Sequence, residues 1–165
     1  MYPSADGRLV EIPEGMTIGD GATIADNVRF GEKDVIGDYV TLASGVVLGD
    51  FVGIGCNSSI GLDNDIENDV QLLGKVVTGA ACTFCEGAKV KGPGTTTFGD
   101  EVFVGPRAVF EGSRTIGRNA TIGEDSLILR DIADDEEIEP GWTAYEDNGV
   151  PKAAQPRHRC RPLVK

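Results

Sequence analysis

The chain has 165 residues, enough for one domain with a substantial core, and 40% of them are hydrophobic. Glycine is abundant at 23 residues but periodic, which excludes disorder for the body, and no apolar run approaches the roughly 20 residues of a membrane span. Residues 1–150 hold all 27 acids and ten Lys/Arg, a charge of −17, whereas 151–165 hold Lys152, Arg157, Arg159, Arg161 and Lys165 and no acid, a charge of +5. An acidic body argues against nucleic acid as its ligand; the basic tail suits a protein partner or an acidic neighbouring subunit.

The opening "MYPSADGRLVE" (1–11) has no basic start and no apolar core, so it is expected to be an N-terminal cap rather than a signal peptide. From Ile12 a large apolar residue returns at every sixth position: Ile12, Ile18, Ile24, Phe30, Ile36, Leu42, Leu48, Ile54, Ile60, Ile66, Leu72. Thr78 is a weak member, and Phe84 and Val90 restore the register. After "KGPGTTT" (91–97) the register slips by two, which predicts a local kink, and resumes at Phe98, Val104, Phe110, Ile116, Ile122 and Ile128. A second set sits four residues later and is small or branched: Ala22, Val28, Val40, Val46, Val52, Ser58, Val70, Val76, Cys82, Ala88.

A period of six is neither that of a helix nor that of a strand. It suits a coil with three flat sides. Strands of two or three residues each turn one large side chain inward, and a corner follows where glycine tolerates unusual φ. Three sides, one hexapeptide each, close one turn, so Ile12, Phe30, Leu48, Ile66 and Phe84 stack in one column. Ile18, Ile36, Ile54, Leu72 and Val90 form a second column, and Ile24, Leu42 and Ile60 a third, with Thr78 as its weak point. Successive coils pair as parallel β around a dry interior, giving about six to seven triangular coils over residues 12–130.

The repeat is an aliphatic residue, then Gly, Ala or an acid, two free positions, a small residue and one more. It resembles that of hexapeptide-repeat proteins, which include CoA-dependent acyltransferases and γ-class carbonic anhydrases. The resemblance implies an all-β, left-handed parallel β-helix, an exception to the right-handed crossover rule, and a homotrimer. It covers about residues 12–130 and extends through a closing segment at 126–159. Residues 131–150 resemble the family's closing cap, with Ile138, Pro140 and Gly141 at a corner and Gly149, Val150, Pro151 and Lys152 at the exit before a basic tail, 151–165. The order "PKA" departs from the family's "PAK". "DIADDEEIE" (131–139) is expected to be a solvated acidic corner rather than a short helix capped by Asp131. Trp142 and Tyr145 are expected to cover the open end of the stack, since an uncapped edge invites aggregation.

The chemistry is sparse. Zinc in a γ-carbonic anhydrase needs three histidines, and this chain has His158 alone, in the tail, so no metal site is expected. Family acyltransferases mostly use a coil histidine as general base, and no coil position here is His. Carboxylates such as Asp63, Asp65, Glu67 and Asp69 read first as solvated surface. Cys82 and Cys85 form C-x-x-C without a second pair; Cys82 takes an inward core slot and Cys85 a slot usually held by Gly. Cys56, Ser58 and Ser59 lack a sequence-visible base, and Cys160 lies in the tail. Four cysteines at uneven spacing suit free thiols in a cytoplasmic protein. Thr95, Thr96 and Thr97 are consecutive, and no threonine column repeating once per turn is expected.

Two functions follow. The missing coil histidine favours a non-catalytic homotrimeric module with a structural, scaffolding or assembly role, without cofactor. The family-like exit favours an acyltransferase with a base other than a coil histidine. In that case the resemblance implies a CoA thioester whose phosphates meet Lys152, Arg157 and Arg159.

Overall fold

Alternation within each hexapeptide decides the architecture. The large apolar residue points in and its predecessor points out, so two-residue strands suffice to bury one side chain per side. The computed structural model describes residues 2–4 and 7–155. Among these, the chain winds as a parallel β-solenoid of about seven turns with no helix.

Three sheets form three faces. The first face has nine strands, from Thr17–Ile18 to Val150–Ala154. The second face has six, from Thr23–Ile24 to Thr115–Ile116, and the third has six, from Val47–Leu48 to Glu137–Ile138. The three expected columns are the three rows of buried side chains. Ile36 pairs with Ile54, Leu42 with Ile60, and Ile66 with Phe84, in each case three hexapeptides further on. Most of the column residues are at most 3% exposed, so the interior is a close-packed apolar stack. The weak point, Thr78, is filled differently: its hydroxyl accepts the Gly61 N–H at 3.0 Å. Beside it Phe84, Phe98 and Phe110 meet edge to face, with ring centres 5.0 and 5.1 Å apart.

The turn containing Gly92–Gly94 is longer than three hexapeptides, so Lys75 pairs with Thr95 and Thr83 with Phe103. The last turn is shorter than three hexapeptides: Thr121 pairs with Glu137 and Leu127 with Thr143. The ladder therefore does not end near 130. Ile132, Ile138 and Ala144 continue the columns through the segment expected to be a closing cap, because the shortening hides them from the six-residue register. Strand Thr143–Asp147 then turns back as an antiparallel hairpin with Val150–Ala154. Trp142 packs against the core from this end. At the other end Tyr2–Pro3 and Leu9–Val10 form a second hairpin, and the Tyr2 hydroxyl donates to the Ala22 carbonyl at 2.8 Å.

The role expected for the periodic glycines needs correction. Gly37 does not lie in the left-handed region; a Cβ there would come 2.7 Å from the Cys56 nitrogen of the next coil. Close approach of the coils is what requires it. The left-handed φ falls two residues later, on Tyr39 (56°), Phe51 (60°) and Asn57 (62°). These side chains point to solvent, and their corner conformation is held by the ladder on both sides.

The small-residue slot also holds two side chains that the sequence reading passed over. Asp34 and Asn64 are fully buried there. The Asp34 carboxylate accepts the Gly31 and Val52 N–H groups, both at 2.9 Å. The Asn64 amide donates to the carbonyls of Gly61, Leu62 and Gly79.

Candidate functional site

The second face carries a shallow groove. Strands Lys75–Thr78, Thr95–Phe98 and Thr115–Ile116 lie side by side in it. Thr78, Phe98 and Ile116 point inward and form its base. Val77, Thr97 and Thr115 point outward, and Gly79, Gly99 and Gly117 follow them as a floor without side chains. The far wall is the edge joining the second and third faces, where Asp100, Arg118 and Asp134 stack on successive coils.

The outward row on this face is rich in hydroxyls, with Val77 as its one apolar member among those paired. Thr23 pairs with Thr41, Thr41 with Ser59, Ser59 with Val77, Val77 with Thr97, and Thr97 with Thr115. The expectation of no threonine column needs modification: Thr23–Thr41 and Thr97–Thr115 stack, with Ser59 and Val77 interrupting the row. The slip at 92–94 and the Ser and Val members conceal it in the sequence.

The wall residues are held in place by backbone. One Asp100 oxygen accepts the Ala80 N–H at 2.8 Å, and one Asp134 oxygen accepts the Arg118 N–H at 2.8 Å. The same bond recurs where Asp38 and Asp50 accept the N–H groups of Asp20 and Glu32. Corner acids therefore satisfy amides that the parallel ladder leaves over. At Asp100 and Asp134 the second oxygen remains available to the groove. Among the described residues no carboxylate lies in ion-pair range of Arg118. The groove thus sets two backbone-held carboxylates and one arginine along a wall, beside a flat track of Val77, Thr97 and Thr115.

No protein-family model matches the chain, and no curated protein matches it. Solved structures do. LpxA from Acinetobacter baumannii superposes with a TM-score of 0.62 at 18% identity, covering 86% of this chain and 72% of that one. A UDP-N-acetylglucosamine acyltransferase superposes with a TM-score of 0.57 at 18% identity, covering 82% of this chain and 70% of that one. The chain is a left-handed parallel β-helix.

The β-helix does not gather the residues singled out from sequence. Lys152 is exposed on the last strand, and its ammonium pairs with Asp147 at 2.9 Å. Arg157, His158, Arg159 and Cys160 lie outside the described residues. Cys82 is buried and its thiol donates to the Gly99 carbonyl at 3.0 Å; burial pushes the thiol pKa up. Cys85 is also buried and pushed up by burial, with Glu67 and Asp65 adding repulsion. Cys56 is exposed. Asp63, Asp65, Glu67 and Asp69 are exposed, and Glu67 accepts the Glu86 N–H at 3.0 Å. Among the described residues no three His, Cys, Asp or Glu side chains cluster to hold a metal.

The β-helix also has a polar anchor that sequence reasoning missed. Arg130 is 3% exposed and meets Glu136 through both terminal nitrogens, at 3.0 and 2.6 Å. Its Nε donates to the Lys152 carbonyl at 2.9 Å, tying the final hairpin to the last turn. The six-residue register carries no signal for it: Arg130 falls on a free position after Ile128, and the shortened last turn moves it into the small-residue slot two before Ile132.

Proposed function

We propose that this β-helix is an acyltransferase that takes its acyl group from a thioester such as acyl-CoA. The observation that carries the reading is the groove of the second face, with Asp100, Arg118 and Asp134 along one wall. It lies on a fold shared with LpxA and a UDP-N-acetylglucosamine acyltransferase. The sequence reading placed a non-catalytic scaffold first because no coil histidine is present; the groove and the likeness to two acyltransferases support the opposite order.

In the reaction the acceptor's hydroxyl or amine forms a bond to the thioester carbonyl carbon. The free oxygen of Asp100 or Asp134 takes the proton that the acceptor releases. Arg118 faces the negative charge that gathers on the carbonyl oxygen. The carbon–sulfur bond then breaks, and the proton passes to the departing sulfur, so the thiol leaves neutral. The assembly proposed for the active form is a homotrimer, in which a neighbouring subunit closes the open side of the groove.

The test combines native mass spectrometry, with and without acetyl-CoA, and thiol release over a panel of amines and amino sugars. A trimer that takes up CoA and releases thiol only with an acceptor supports the reading. Asp100→Asn and Asp134→Asn should then lower the rate about a hundredfold or more in at least one case. A protein that neither binds CoA in large excess nor releases thiol returns the scaffold to first place.

A further inference from the structure

The three edges of the prism differ in charge. At the edge joining the third and first faces, the corner positions hold Asp69, Glu86 and Glu124, with Arg107 between the last two and paired to Asp125. At the edge joining the second and third faces they hold Asp63, Asp100 and Asp134, with Arg118 between the last two. The edge joining the first and second faces has the opposite character over three consecutive coils. Lys75, Lys91 and Arg114 stand there, with Lys89 beside them on the first face. The surrounding corner residues are glycine: Gly74, Gly94 and Gly112, all left-handed at φ 77°, 102° and 80°.

These cations are poorly neutralised. Lys75, Lys89 and Lys91 are exposed. Glu111 lies 3.8 Å from the Lys91 ammonium, and the Arg114 Nε uses the Glu111 backbone carbonyl at 2.7 Å. Among the described residues no carboxylate pairs with Lys75, Lys89 or Arg114. Arg107, by contrast, is matched by Asp125 at 2.9 Å. Lys75, Lys89 and Arg114 thus stand without a carboxylate partner among the described residues, beside a Lys91–Glu111 pair. Packing explains the glycines only in part. A Cβ on Gly74 would come 3.0 Å from the Gly94 carbonyl oxygen and one on Gly94 would run into the Ser113 hydroxyl, whereas at Gly112 it would meet only the Arg114 side chain, at 3.2 Å. The edge is thus a glycine-rich strip with the Ser113 hydroxyl over Gly94 and three cations along it, about 10 Å long at about 4.8 Å per coil.

We infer that this edge binds the diphosphate of a nucleotide-containing ligand, held by Lys75, Lys91 and Arg114 over the glycine strip. Phosphate oxygens accept several donors at once, and a diphosphate reaches two neighbouring coils. The edge is continuous with the groove, because strand Lys75–Thr78 starts at the edge and runs straight across the second face. The four-residue strand Lys75–Thr78, about 10 Å from end to end, and the corner that follows separate Lys75 from Ala80, which carries the Asp100 contact. A ligand anchored here by its phosphates lays an extended arm along Val77 and Thr97 toward Asp100. This last step rests on the acyltransferase reading; the phosphate site does not.

The test is calorimetric titration at low salt with CoA, UDP and inorganic pyrophosphate as separate probes. It compares the unaltered protein with a Lys75→Gln/Lys91→Gln double variant, an Arg114→Gln variant and, on another edge, Lys33→Gln. At least one probe should bind. The double variant and Arg114→Gln should each weaken it about tenfold or more, the effect of losing a charge-assisted hydrogen bond, and Lys33→Gln should not. CoA binding well above UDP assigns the site to a thioester donor, and the reverse to a nucleotide-linked acceptor. Absence of binding by all three at millimolar concentration overturns the inference. So does binding that the variants leave unchanged, and so does an altered oligomeric state in the double variant without probe binding, which would make the edge a contact between copies. Phosphate binding without any acyl transfer upholds this site and removes the acyltransferase reading instead.

Discussion

Asp34 puts a carboxyl group where neighbouring coils place Val52 and Val70. Burial pushes its pKa up from 3.8 to about 6, against the two backbone N–H bonds that favour the charged form; the Asp50 charge adds to the rise. The folded protein therefore holds this proton more tightly than the unfolded chain does. Its contribution is fully present below pH 3.8 and is lost as the pH rises through about 6. The gap corresponds to about 3 kcal/mol at about 1.4 kcal/mol per pH unit. Asp34→Val removes the titration but orphans the Gly31 and Val52 N–H groups, a pH-independent cost of about 1–3 kcal/mol each. Urea unfolding of both proteins at pH 4, 5, 6 and 7 separates the two effects, because every other carboxylate cancels in the comparison. The stability advantage of the unaltered protein should shrink by about 2 kcal/mol between pH 4 and pH 7, most of the full gap. An advantage that stays constant across that range refutes the assignment of the burial cost to Asp34.

Three further outcomes follow from the packing. Phe98→Ala removes the middle ring of the Phe84–Phe98–Phe110 stack and should cost about 3–5 kcal/mol in urea unfolding, with little change at Phe103→Ala, which is 43% exposed. Gly105→Ala places a Cβ 2.7 Å from the Glu124 nitrogen and should destabilise by about 1–3 kcal/mol, through crowding. Gly141→Ala meets nothing within 4 Å and should lose only the left-handed backbone penalty, about 1–2 kcal/mol; thermal melts compare the two. Arg130→Ala leaves Glu136 and the Lys152 carbonyl without their partner and should cost about 3–5 kcal/mol, with faster amide exchange over 143–154. Arg130 holds the Glu136 carboxyl below its ordinary 4.5, so this support is present above pH 4.5 and fades as the pH falls through the lowered value; in Arg130→Ala the acid sensitivity should diminish.

The inward columns were legible because each large side chain must fill the prism, so a single period exposes the fold. The same period flags two exceptions: Asp34 and Asn64 are polar where the repeat asks for small residues, whereas the shortened last turn hides Arg130. Reading only the members that fit conceals them. The glycines were legible as periodic but not as close-approach positions, because contact between coils is invisible along one turn. The groove was not legible. Its wall comes from Asp100, Arg118 and Asp134 on three different coils, and only the shortened last turn brings Asp134 into line. Its threonine row was obscured by the slip that moves Thr97 rather than Thr95 onto the column of Val77.

Short, regular and long turns coexist in one ladder. Turn length is therefore not a fixed property of this architecture; the phase of the inward side chain is. Corners behave as sites where chain can be added or removed while the faces on either side keep their spacing. The Gly92–Gly94 corner has already accepted extra chain in this way. A foreign peptide grafted there would project from a rigid platform, with its two ends fixed by strands Lys89–Lys91 and Thr95–Phe98.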